Sequence, residues 1–169
     1  MKHLDPRRAL GAAALAGTVA LLAGACASTP QPAPDRAASE SATPGSLSAR
    51  IDGGPDHPGV TITGATVRPG ANGDGELTMT VRNDGSTPEH LSMASAAVAD
   101  SVELQGGGPY TDSPAGVLLP PGSTATFGAA DGPHVVLHGL HGLTPGADVP
   151  VTLIFARLGL VHLQALPAS

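Results

Sequence analysis

Cysteine occurs once in the 169 residues, tryptophan is absent, and tyrosine and phenylalanine together supply three rings. A single cysteine excludes a disulfide framework and a cysteine-built zinc cluster. Three aromatic rings cannot make a base-stacking platform, and a formal charge of −6 repels phosphate, so nucleic acid is not an expected partner. Charged residues are only 13% of the chain, and lysine occurs only at Lys2. A long coiled coil needs repeating Glu, Lys and Leu, and this composition lacks it. Gly-x-Ser-x-Gly, a phosphate loop, a dinucleotide fingerprint and a recognisable carboxylate pair are all missing, so the chain is not expected to be an enzyme. What is abundant is glycine (23) and proline (17), the residues that punctuate short strands.

The amino terminus reads as an address. Lys2, Arg7 and Arg8 precede the uncharged run Ala9 to Ala25, which ends at Cys26. A basic start, an apolar core and small residues before a cleavage point are the layout of a secretory signal. The run is rich in Ala and Gly and sits at the lower limit for a membrane span of about 17 residues. Leu22-Ala23-Gly24-Ala25-Cys26 resembles the bacterial lipobox, although Ala23 stands where leucine is usual. Residues 1–25 are therefore expected to be a lipoprotein signal peptide. Cys26 is expected to carry acyl chains such as palmitate, anchoring the protein to membrane lipid on the extracytoplasmic face. Residues 26–58 are rich in Pro, Ser and Ala and poor in large apolar side chains. Such a stretch cannot offset the ordering cost of roughly 1–2 kcal/mol per residue, so a flexible, disordered tether is expected.

From Gly59 onward the texture changes to short runs bounded by Gly, Pro, Asn and Asp. Leu77, Met79 and Val81 alternate with Thr78, Thr80 and Arg82, the period of a half-buried strand. Val149, Val151, Leu153 and Phe155 do the same, and Arg157-Leu158-Gly159 reads as the turn into a returning strand from Leu160 to Leu166. Eight or nine strands at intervals of about 8–14 residues, with no helical period, predict an all-β antiparallel β-sandwich over residues 59–169. Its surface is mildly acidic, three Arg against nine Asp and Glu.

Histidine is the recurrent reactive type. His134, His138 and His141 fall within eight residues and are the candidate metal ligands, since neutral imidazole binds many transition metals. On a strand, His134 and His138 would share a face about 13 Å apart, too far to chelate one ion without a sharp bend. His138 and His141 could meet across the turn at Gly139. His162 is expected to face solvent and His57 to lie in a loop. His90 and Met93 are expected on opposite faces of a strand, with Met93 in the core.

The order of several segments resembles the periplasmic copper chaperone family PCu(A)C. These are Leu77-Thr78-Met79-Thr80 leading to Asn83, Val102-Glu103-Leu104, Gly132 through Leu140, Leu143 to Gly146, and Asp148 through Phe155 with Gly159. The resemblance covers about 90 residues and implies a cupredoxin-like sandwich that binds Cu(I), with envelope copper-handling proteins as partners. It also implies a ligand set: a His after Val-Glu-Leu, Met in the next loop, and a His-x-Met pair. Soft thioether donors suit Cu(I), and residues two apart on a strand can converge on one ion. In this chain His134 matches the His of that pair, Val136 stands in place of its Met, and Gln105 stands where the first His is expected. Residues 106–115 contain no Met. The expected function is an anchored extracytoplasmic lipoprotein that binds or delivers copper through His134 and a substitute ligand. The alternative is a metal-free sandwich serving as a binding or assembly module at the cell envelope.

Overall fold

The computed structural model describes residues 39–51, 57–109 and 115–168. The signal-like segment 1–25 and Cys26 lie outside the described residues, as does most of the loop that opens at Gly106.

Among the described residues, eleven strands follow one another with a single 3-10 turn, Ala71–Gly73. They are β1 (Ser39–Thr43), β2 (Ser46–Arg50), β3 (Gly59–Pro69), β4 (Gly75–Asn83), β5 (Glu89–Ala96) and β6 (Ser101–Gln105). β7 (Val117–Leu119), β8 (Thr124–Phe127), β9 (His134–His138), β10 (Val149–Phe155) and β11 (Gly159–Pro167) complete the order. The all-β sandwich expected from the alternation is what forms. One layer runs β1-β2-β3-β4, with β8 and β9 sharing the far edge of β4 and β6 outside β9. The other runs β11-β10-β5-β7. The end of β11 joins the layers by pairing parallel to β3, Leu166 beside Thr66 and Pro167 beside Val67.

Alternation in sequence becomes burial in space. Leu77, Val81, Leu153 and Val161 are fully enclosed, and both phenylalanines, Phe127 and Phe155, are core residues. At roughly 1.5–3 kcal/mol for each fully buried Val, Leu or Phe, this layer-to-layer contact is the main stabilising term. Two buried polar side chains fasten the layers' ends. Asn83 Nδ2 donates to the Thr87 and Leu119 carbonyls, both at 2.9 Å. Glu89 accepts three backbone N–H groups, two of them from the β10–β11 turn.

Three details depart from the sequence reading. The stretch assigned to a tether contains β1 and β2, so the ordered domain starts before residue 59. Leu47 and Ala49, each 2% exposed, alternate with Ser46, Ser48 and Arg50 and pair opposite Ile62 and Val60. Composition averaged over 33 residues hides such a stretch: two buried side chains suffice when the neighbouring β3 supplies the ladder. Pro44-Gly45 turns the hairpin, Gly45 adopting φ +76° and donating to the Gln164 carbonyl at 2.6 Å. Met93 is not core but 58% exposed. The register of β5 against β10 steps from Ile154–Met93 to Phe155–Leu91, so β5 carries one extra residue and the face reverses. His90 and Met93 therefore lie on the same outer side. Finally, the sandwich is antiparallel except at the short β11–β3 contact.

Candidate functional site

β9 carries the candidate ligands because its alternation is strict. Val135 and Leu137 are completely buried, so His134, Val136 and His138 lie on the opposite, outer face. β6 runs antiparallel on one side, with Gln105 opposite His134, Glu103 opposite Val136 and Ser101 opposite His138. β4 lies on the other side, with Glu76 opposite Val136. Val136 is thus flanked by a glutamate from each neighbouring strand and a histidine from each end of its own.

Each histidine meets a carboxylate. His134 Nδ1 lies 2.7 Å from Glu76 Oε1, and both side chains are about one-third exposed. His138 is held between two acids, Nδ1 3.4 Å from Asp74 Oδ1 and Nε2 3.2 Å from Glu103 Oε2. His141, beyond the strand, has Nδ1 2.9 Å from the Gly139 carbonyl and 3.6 Å from Asp100 Oδ1. Gly139 is required between them: its φ is +65°, and a Cβ there would stand 2.2 Å from the Asp100 carboxylate. The Glu103 hydrogen bond, helped by the negative charge of Asp74, raises the His138 pKa above the ordinary imidazole value, against a smaller effect of burial. Glu103 is lowered in turn, first by the Gln105 amide that donates to it at 3.2 Å and then by His138.

The structure does not gather the three imidazoles round one point. His134 and His138 stand four residues apart on an extended strand, about 13 Å, and both ring nitrogens of His138 face separate carboxylates. Among the described residues, no group of three or more His, Cys, Asp and Glu side chains is placed to hold one metal ion. A three-histidine chelate does not fit this geometry. His162 is exposed, as its place in the alternation of β11 predicts.

Two of the positions implied by the family resemblance come together. Gln105 and His134 are direct neighbours across the β6–β9 ladder although 29 residues apart in sequence. The loop that follows Gln105 begins against the entry to β9. A Cβ on Gly107 would lie 1.9 Å from the Gly132 carbonyl, and one on Gly108 2.1 Å from that of Asp131, so only glycine allows this approach. Gln105, His134 and this close glycine approach therefore meet at one edge of the sheet.

Composition marked the acids of this face only as solvated surface, and they are its main surprise. Asp74, Glu76, Asp100 and Glu103 each meet a histidine, through pairings that span up to 64 residues of sequence. No local pattern reveals them, because strand order and register decide which acid faces which imidazole.

Solved structures share this architecture. The copper-bound PCuAC domain from PmoF2 is similar with a TM-score of 0.54 and 27% identity, covering 65% of this chain and 92% of that domain. The apo PCuAC domain from PmoF1 is similar in fold, with a TM-score of 0.56, 24% identity and coverages of 71% and 98%. The solution structure of CuI-DR1885 from Deinococcus radiodurans gives 0.53, 27% identity and coverages of 61% and 74%. No curated protein matches the sequence. The family model for the LpqE-like lipoproteins matches residues 60–167, nearly the whole of the sandwich. With that match and a PCuAC-type fold, the chain belongs to the LpqE-like family.

Proposed function

We propose that this protein is a lipid-anchored, extracytoplasmic carrier that takes up copper at the β6–β9 edge of its PCuAC-type domain. Copper is cargo here, with His134 as the protein's own donor and Cys26 as the site of the lipid. The observation that supports this reading is the placement of His134, directly opposite Gln105 and beside the glycine loop. One imidazole and no thioether at this edge make a shallow site, suited to handing the ion to other envelope copper-handling proteins. The role is binding and transfer rather than catalysis.

The test is a Cu(I) titration of the purified protein against a competing chelator, repeated with His134→Ala. Binding tighter than a Kd of about 1 μM, corresponding to about −8 kcal/mol, that is lost in the variant supports the reading. Weaker binding, or no effect of the substitution, overturns it. The anchor is checked separately: Cys26→Ser protein is expected in the soluble fraction, and its retention on membranes refutes lipidation.

A second reading has its own support. Gln105 and Val136 carry no soft donor, and all three histidines already face carboxylates or a carbonyl. On this reading the domain is a metal-free binding or assembly module at the cell envelope. It predicts protein that purifies without metal and a partner captured by crosslinking in the envelope.

A further inference from the structure

The four histidine–carboxylate pairs are not equivalent. His134–Glu76 is the shortest, at 2.7 Å, and the least exposed, at 33% and 32%. The pairs of His138 and His141 are longer and involve side chains at least 40% exposed. Glu76 is also given room that other side chains would take. Gly128, with φ +81°, lies so close that a Cβ there would stand 3.3 Å from the Glu76 carboxyl carbon and from Oε1, and 2.6 Å from Thr78 Cγ2. The Gly128 N–H donates to the Pro133 carbonyl at 2.9 Å, closing the loop that delivers His134 to β9. One turn thus holds the acid's space and the histidine's entry together.

An ionised carboxylate only accepts hydrogen bonds, so the proton in the short contact belongs to His134 Nδ1. A neutral imidazole with Nδ1–H carries its lone pair on Nε2, which has no hydrogen-bond partner among the described residues. From this geometry we infer that Glu76 is a positioning residue for His134: it selects the Nδ1–H tautomer, locks the ring, and presents Nε2 outward as a ready metal donor. A carboxylate on the second nitrogen is the usual way of orienting a metal-binding imidazole and raising its basicity. The inference deepens the copper reading and rests on it for the identity of the ion, though not for the tautomer.

The experiment is long-range 15N–1H NMR of the His134 ring in the metal-free protein at about pH 8.5, above the ordinary imidazole range. The native protein is expected to show Nδ1–H. Glu76→Gln keeps a carbonyl acceptor and is expected to keep that tautomer, whereas Glu76→Leu is expected to shift the ring toward Nε2–H. A native ring with Nε2–H, or a folded Glu76→Leu protein with an unchanged ring, overturns the inference. In the titration, Glu76→Leu is expected to weaken Cu(I) binding about 10- to 100-fold, the usual loss for such a partner, with Glu76→Gln closer to native. Equal affinity in all three proteins refutes the positioning role. If none binds copper while the tautomers behave as expected, the copper reading fails and the Glu76–His134 assignment stands.

Discussion

Replacing Glu89 with alanine removes a buried side chain that reaches from the start of β5 to the β10–β11 turn. The residue is 2% exposed. Its Oε1 accepts from the His90 and Arg157 amides and its Oε2 from the Leu158 amide, all at 2.9 Å. Hydrogen bonds to a charged group contribute about 1.5–3 kcal/mol each, and a buried amide left unsatisfied costs about 1–3 kcal/mol. Against this stands the cost of burying the carboxylate, several kcal/mol, which the variant recovers. The net loss is expected near 3 kcal/mol, because Leu158, itself buried, is anchored only while its turn is held. Glu89→Gln should lose about half of that, since its amide nitrogen must face a backbone donor. Urea unfolding followed by circular dichroism gives both values, provided the slope with denaturant stays constant. A loss below about 1 kcal/mol for Glu89→Ala would mean that the three contacts do not cooperate, and the argument would be wrong.

Three further outcomes are expected. Leu47→Ser, in the stretch that composition assigns to a tether, should destabilise the domain by about 2–4 kcal/mol because it empties a core position; an unchanged melting temperature would remove the β1–β2 hairpin from the folded unit. Asn83→Ala should cost about 2–3 kcal/mol, since it leaves the Thr87 and Leu119 carbonyls and the Gly85 amide without their 2.9 Å partner, and equal stability of variant and native protein in urea would contradict this. The His138 bridge should give a pH signature. Its pKa is raised, so its stabilising effect is full below about 6.5, the unfolded value, and disappears as pH rises through the higher folded value. The stability gap between native protein and His138→Gln should therefore be larger at mildly acid than at alkaline pH; the opposite trend would refute the bridge. Glu103 adds a contribution of the other sign of slope, lost only as strongly acid pH reaches its lowered pKa.

Much of the fold was legible from local pattern. Leu77-x-Met79-x-Val81 and Val149-x-Val151-x-Leu153-x-Phe155 carry the period of two in the residues themselves, and each side chain named is buried. The turn at Arg157-Leu158-Gly159 and the strand returning from it lie where the punctuation puts them. Met93 was not legible, because one extra residue in β5 reverses its face, and a bulge is set by the register of the partner strand rather than by its own sequence. The hairpin before Gly59 was missed for a related reason: Leu47 and Ala49 are too few to form a core and become one only against β3.

For the site, the chain alone determined which imidazoles exist, that His134 and His138 share one face of a strand, and which family positions had lost their sulfur donors. Those properties are written in residue type and a two-residue period. Only the tertiary structure decided that Gln105 faces His134, that Glu76 takes the His134 ring while Asp74 and Glu103 divide His138, and that the three rings stay apart. Such pairings depend on the order and register of β4, β9 and β6. These are fixed by how the buried faces of distant strands fit together, and that fit is a property of the whole core rather than of any segment.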